Sequence, residues 1–218
     1  MTQGQDVAII GAGGFGREVL QYSLDAQATG WPHRVVGFVD DRPDALEQFD
    51  VSVSVLGGLG ELGRIDVRAF IIALGDPALR RGVSDAVGEV GGTLVTLIHP
   101  SAYVSSTAQI GSGALLCPFT LIAVNSILGA NVAINVYASI GHDSRIGENC
   151  VISPYSAVTG DVSLGSESFL GTHCTIAPGT TIGRRSKVSA GSMVTRDAEA
   201  GSLLVGNPAN GRVMYPVS

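Results

Sequence analysis

Charge is scarce in this sequence. Only 15% of its 218 residues are Asp, Glu, Lys or Arg, and they sum to −6. No run of Lys or Arg interrupts that acidic balance, so the chain lacks the electrostatic footprint of a nucleic-acid binder. Cysteine is scarce too: the three present cannot pair completely, which favours buried thiols in a reducing cytoplasm over a disulfide framework. No apolar run is long enough to span a membrane, and Met1 to Asp6 has no basic segment of the kind that opens a secretory signal. The expectation is a cytoplasmic protein with neither nucleic acid nor membrane as partner.

What the chain has in abundance is order of period six. Apolar residues make up 45% and glycines number 30. From Ile98 to Glu199 the chain divides into hexads whose first residues run Ile98, Val104, Ile110, Leu116, Ile122 and onward to Val194, all branched aliphatics. The fifth residues run Ala102, Ala108, Ala114, Thr120, Ser126 and onward to Ala198, all small, with Cys150 and Cys174 among them. A fixed short period marks a solenoid, in which each unit buries its apolar face against its neighbours. Neither a 3.6-residue helix nor a simple alternating strand places one large and one small inward residue in every six. The second position often holds glycine, as at Gly111, Gly129, Gly141, Gly147, Gly165, Gly171 and Gly183, with Asn135 as another residue tolerant of positive φ. Short strands joined by tight corners are expected, with these residues supplying the left-handed backbone.

Ahead of the repeat, the pattern is α/β. Val7 to Ile10 reads as a buried strand, Gly11-Ala12-Gly13-Gly14-Phe15-Gly16 as a glycine turn, and Arg17 to Leu24 as a helix. Gly11, Gly13 and Gly16 in that strand–turn–helix setting suit a phosphate resting on a helix N-terminus. Val35 to Val39 forms a second strand, and Asp40 and Asp41 follow it, where a carboxylate can meet a ribose or base edge. Val53 to Leu56, Phe70 to Leu74 and Thr93 to Leu97 read as further strands, and Ala78 to Val90 as a helix stopped by Gly91-Gly92. Three segments result: a Rossmann-like domain over 1–97, a repeat domain over 98–199 and a C-terminal tail over 200–218. The first is roughly one mononucleotide-binding half, and on residues alone its ligand could be NAD or another nucleotide.

The hexads resemble the left-handed parallel β-helix of bacterial hexapeptide-repeat acyltransferases, in which three hexads make one coil, giving just under six coils here. Joined to the glycine-loop domain, the whole is similar to the sialic-acid O-acetyltransferase and nucleotide-amino-sugar N-acetyltransferase family. Phe38-Val39-Asp40-Asp41, Ser139-Ile140-Gly141-His142-Asp143 and Gly206-Asn207-Pro208-Ala209 carry that resemblance. It implies acetyl-CoA as co-substrate and a nucleotide-linked amino sugar held by Gly11, Gly13, Gly14, Asp40, Asp41 and Asn135. It implies His142 as catalytic base, Asp143 as its partner and the Gly160 N–H as oxyanion donor. Coenzyme A would lie along Gly160, Ala190, Gly191, Gly206 and Pro208, in a homotrimer with active sites between subunits and no metal. Two positions depart from the family. Asn210 stands where Lys is usual, with Arg212 as the nearby cation, and Val151 stands where some members carry a second His.

The residues themselves leave His142 open between a base and a solvated surface side chain. Its third-position place faces outward, and His with a neighbouring carboxylate is a common general-base arrangement. Phe119, Tyr137, Tyr155 and His173 are each eighteen residues apart. They should stack as a ladder on one edge, suited to a subunit interface. Only His99, His142 and His173 lie within the repeat, too scattered for a zinc site.

Overall fold

The computed structural model describes residues 4 to 215. The first domain runs β1 (Asp6–Ile10), α1 (Gly14–Ala28), β2 (Arg34–Val39), β3 (Val55–Gly57), β4 (Ala69–Ile72), α2 (Pro77–Glu89) and β5 (Thr93–Leu94). Its sheet is parallel throughout, in the order β3-β2-β1-β4-β5. Strand order reverses between β1 and β4, so a crevice opens beyond their carboxyl ends. Both sheet faces are covered, which is why β1 and β4 are almost wholly apolar. Val7, Ile9, Ala69 and Ile71 pack with Val19, Leu20 and Ala26 of α1. Ala8, Ile10, Phe70 and Ile72 pack with Val83 and Val87 of α2. Pro77 opens α2, whose N-cap is Asp76, accepting the N–H groups of Ala78 and Leu79.

The strand expected over Thr93 to Leu97 divides. Its first part closes the sheet as β5, and Leu97–Ile98 is already the first strand of the solenoid, pairing with Leu115 and Leu116. Seventeen two-residue strands follow one another to Met193–Val194, stacked in three parallel sheets. Every pairing joins residues eighteen apart, as in Ile122, Ile140 and Val158. The first-position aliphatics fill the interior from Leu116 to Val194, each worth roughly 1.5–3 kcal/mol of transfer free energy. Fifth positions are small for room, and their hydroxyls serve a second purpose. Ser126, Ser144 and Ser156 donate to the carbonyls of Gly141, Thr159 and Gly171 in the next coil. The hairpin Ser202–Gly206 and Ala209–Val213 then extends one sheet beyond Lys187–Val188 and seals the upper end with Leu204.

The corners correct one expectation. Positive φ falls at the fourth hexad position, at Asn125, Asn131, Tyr137, Asp143 and their successors, and not at the second. The second-position glycines are needed because coils approach too closely for a side chain. A Cβ on Gly141 would lie 2.4 Å from the Thr159 carbonyl carbon, and one on Gly147 would lie 2.4 Å from Ser166 N.

The outer face of the sheet containing Leu115, Ala133, Val151 and Phe169 is apolar because α1 and its neighbours cover it. At the adjoining corner the Arg80 side chain is fully buried, with no carboxylate beside it. Its guanidinium donates to the Ile72 and Leu74 carbonyls at the crevice, and to the backbone and side-chain oxygens of Asn131 on the solenoid. Asn131 returns a bond to the Arg80 carbonyl. Arg81 adds a 3.0 Å ion pair to Glu167, one of the next residues along the same corner. The domains are thus fastened by a polar seam beside an apolar one.

Candidate active site

After the strand Ser139–Ile140, the chain turns at Gly141 and presents His142 and Asp143 on the surface. His142 Nδ1 lies 2.8 Å from Asp143 Oδ2. A carboxylate only accepts, so Nδ1 carries a proton, and in the neutral ring Nε2 is then the nitrogen with the lone pair. Asp143 is itself held in place: Asn125 Nδ2 donates to its other oxygen at 3.1 Å, and the Asn125 N–H donates to Thr107 Oγ1. The His142 bond, and then the Asn125 bond, keep the Asp143 carboxyl below its ordinary range. Thr107, Asn125 and Asp143 are eighteen residues apart, so coil stacking builds this orienting chain. Asn125 and Thr107 escaped the sequence reading, although counting back by eighteen from Asp143 would have found them.

The Nε2 side of the ring lies against Gly160, one coil on. A Cβ at Gly160 would fall 2.4 Å from Nε2, so only glycine admits the ring in this position. The Gly160 carbonyl accepts from Gly179, whereas its N–H meets no acceptor among the described residues. The Nε2 edge of an imidazole and an N–H without an acceptor among the described residues therefore sit side by side on one corner.

At the crevice of the first domain, Gly11 has φ +104° and a Cβ there would press on the Ala73 carbonyl. Gly16 is packed so tightly that a Cβ would overlap the Gly11 carbonyl oxygen. Gly13 and Gly14 face open space, and no side chain caps α1 at Gly13. Its first N–H groups are thus available to an anion. Asp40 Oδ2 accepts the Ala12 N–H at 2.8 Å, and both carboxyl oxygens accept from the Arg42 guanidinium. Those Arg42 bonds, with the backbone donors, hold the Asp40 carboxyl below its usual range. Asp41 Oδ1 accepts the Leu59 N–H. Both acids therefore shape a cavity of about 380 Å³, whose apolar wall is Leu59, Leu74 and Leu79.

Asn135 stands apart from that crevice, in a cleft of about 310 Å³ between the domains, with Phe15, Glu18, Tyr22 and Ser153. It lacks the positive φ expected of a corner asparagine, so backbone conformation does not account for it. Val151, where the family can have its second His, is part of the same cleft's apolar wall.

Within one chain these groups do not all converge. Asn135, Ala190 and Gly191 lie on the corner that bears the aromatic column. Its rings stack at 4.9, 5.0 and 4.8 Å from Phe119 through Tyr137 and Tyr155 to His173. His142 and Gly160 lie on the next corner, across the sheet that runs from Tyr103–Val104 to Met193–Val194. Gly206 (φ +102°) and Pro208, joined by a cis Asn207–Pro208 bond, form the hairpin turn at the upper end. Among the described residues no three metal-ligating side chains gather, and no helix is long and apolar enough to cross a membrane.

Residues 6–87 match the PglD N-terminal domain family. Residues 125–160 match the bacterial transferase hexapeptide family, and 161–196 the hexapeptide repeat of succinyl-transferase. PerB from Caulobacter crescentus, solved with CoA and GDP-perosamine, is 33% identical, with a TM-score of 0.87 over 95% of this chain and 97% of that one. The acetyltransferase domain of PglB from Neisseria gonorrhoeae, solved with acetyl coenzyme A, is 30% identical, with a TM-score of 0.83 over 94% and 98%. A GDP-perosamine N-acetyltransferase of Escherichia coli is 30% identical over 62% of this chain, and the matched part spans 61% of that curated relative.

Proposed function

The chain belongs to the PglD-type hexapeptide-repeat N-acetyltransferases of nucleotide-linked amino sugars, and on that premise we propose that it moves the acetyl group of acetyl-CoA onto the amine of such a sugar in the cytoplasm. The observation that carries this reading is the His142–Asp143 pair with its free Nε2 against Gly160. His142 Nε2 takes a proton from the amine nitrogen as that nitrogen attacks the thioester carbon. The oxyanion of the tetrahedral carbon is met by the Gly160 N–H. The carbon–sulfur bond then breaks, the amide forms, and the imidazolium returns its proton to the departing thiolate. Asp143 favours the imidazolium and fixes the ring, as carboxylates do in other His–acid pairs.

The nucleotide sits in the crevice of the first domain. Its phosphates rest on the open turn at Gly13 and Gly14, its nucleoside lies beside Asp40 and Asp41, and Asn135 meets the sugar. A homotrimer accounts for the division of the site over two corners. One subunit's His142 and Gly160 would face the corner of its neighbour that bears Asn135, Ala190 and Gly191, with the exposed aromatic column at the contact. Coenzyme A lies in that seam and reaches the hairpin at Gly206 and Pro208.

The test is acetyl-CoA consumption against a panel of nucleotide-linked amino sugars, on protein whose mass in solution is fixed by light scattering. His142→Ala should lower kcat by about 10²–10⁴-fold with substrate affinities little changed. Near-normal kcat in that variant would mean that His142 is not the base.

A further inference from the structure

The His142–Asp143 pair stands in water: the two side chains are 63% and 52% exposed. A contact in that setting is weak, and a carboxylate with one partner rotates away from it readily. With no acceptor at Nδ1, both tautomers of the ring are open, so Nε2 is presented as a base only while the carboxylate stays in place. Asn125 supplies the second hold. Its Nδ2 lies 3.1 Å from Asp143 Oδ1, while His142 takes Oδ2 at 2.8 Å, so each oxygen has its own donor. Chemistry fixes which way the amide points, since a flipped Asn125 would set one oxygen acceptor against another. The bond spans one coil, from below. The coil above offers Asp161 at the equivalent place, a carboxylate in place of a donor. The charged groups around Asp143 are thus His142 beside it, Asp161 above it and Arg145 two residues on, and among the described residues only His142 pairs with it.

The side chain of Asn125 is not required to build the corner. Its φ of 58° recurs at Asp161 (57°) and at Gly179 (70°) in the same column, so the turn forms without asparagine. The backbone around Asp143 is bonded independently of the amide. The Gly141 N–H donates to the Val158 carbonyl, the Asp143 N–H to that of Val124 and the Asp161 N–H to that of His142. The same eighteen-residue step sets Asn131 Nδ2 2.8 Å from Asn149 Oδ1, so side-chain bonds along the stack are a regular product of coil geometry. At Asn125 the acceptor is, in contrast, a carboxylate whose other oxygen holds a histidine.

We propose that Asn125 is a positioning residue for the acetyl transfer: held against Asp143 from the coil below, it keeps the carboxylate turned to Nδ1 and so keeps Nε2 of His142 facing Gly160. This rests on His142 being the base in the reading above, and adds a residue that acts through Asp143. The experiment compares the intact protein with Asn125→Gly, which accepts the φ of the corner. Three readouts are taken: ¹⁵N imidazole NMR, ¹³C carboxyl titration, and initial rates of acetyl-CoA consumption with the best acceptor of the panel. The chain has four histidines, and His142→Ala assigns the ring signal. In Asn125→Gly the share of neutral His142 rings protonated at Nδ1 should fall. The Asp143 carboxyl should titrate at higher pH than in the parent, because a donor that favoured its charged form is gone. The value of kcat should fall about tenfold with both KM values unchanged, the loss expected for one hydrogen bond to a charged group. Introduced into Asp143→Gly, which has no carboxylate left to position, the same change should cost nothing further. Asn125→Asp keeps the shape but turns the donor into a second carboxylate. It should lose at least as much kcat as Asn125→Gly, and it decides the matter if the glycine variant melts early. An unaltered tautomer balance, or an unaltered kcat, in both variants would overturn the proposal. So would an equal kcat loss in the Asp143→Gly background, since Asn125 would then act on the fold. Near-normal kcat in His142→Ala is a separate failure: it removes the base reading, and this proposal with it, whatever the ring spectrum shows.

Discussion

The solenoid and the α/β domain bring their functional groups together by different physical means. On the solenoid corner, Thr107, Asn125, Asp143 and Gly160 reach His142 because coils stack eighteen residues apart. In the α/β domain, Gly11, Asp40, Leu59, Leu74 and Leu79 arrive at one crevice from separate connections, because strand order reverses there. Glycine shows the same contrast. Gly141 and Gly147 exist for the passage of a neighbouring coil, whereas Gly13 and Gly14 face space that none of the described residues fills. The repeat's second-position glycines are consumed by coil contact, whereas the turn at Gly13 and Gly14 leaves its glycines facing out.

That contrast breaks most visibly at Gly160, a solenoid glycine whose neighbour is a side chain and not the next backbone. Gly160→Ala should leave the solenoid folded, because the imidazole can swing aside. Activity should nevertheless fall by about 10²-fold or more, since the proposed base and oxyanion donor would lose their common geometry. Gly13→Ala, with open space around it, is the matched control for the other domain: nucleotide affinity should drop and acetyl-CoA affinity should hold. Initial rates and titrations on both variants decide the matter. A Gly160→Ala enzyme with normal kcat would show that the juxtaposition in the structure is incidental.

The joint between the two regions gives the next largest effect. Arg80→Met removes the donors for the Ile72, Leu74 and Asn131 oxygens while keeping much of the volume. Leaving several buried acceptors unsatisfied should cost about 3 kcal/mol or more, read as a lower midpoint in urea. Because two of those carbonyls border the crevice, nucleotide affinity should weaken as well. A variant as stable as the parent would mean that water replaces the guanidinium without penalty.

How much of this was legible beforehand follows from the same contrast. Strict spacing converted sequence number into position for His142, Gly160 and the aromatic column, so they could be placed from the letters. Spacing also held Asn125 in plain view, at Asp143 less eighteen. Which hexad position carries the positive φ was misread, because glycine signals both left-handed backbone and close approach, and composition does not separate the two. Arg80 was illegible for a deeper reason. Its partner Asn131 is fifty-one residues away on another domain, and nothing in the local pattern of α2 distinguishes it from its exposed neighbour Arg81.

The smallest predicted effect concerns Asp40, the acid that ties the glycine turn to β2. Its carboxyl is held below the usual 3.8 in the folded chain, first by the Arg42 guanidinium and then by the Ala12 and Arg42 N–H groups. A carboxylate whose folded pKa is depressed contributes stability that is fully present above its unfolded pKa. That contribution is lost as pH falls through the folded value. Wild-type protein should therefore lose thermal stability more steeply than Asp40→Asn between about pH 5 and pH 3, and the two should converge at the acid end. Arg42 is 65% exposed, so solvent screens much of the pairing and the difference should be about 1 kcal/mol or less. Melting curves of both proteins at matched ionic strength measure it. A constant gap at every pH would show that the bond from Ala12 matters as a neutral contact, and that the charge on Asp40 adds nothing to the clamp.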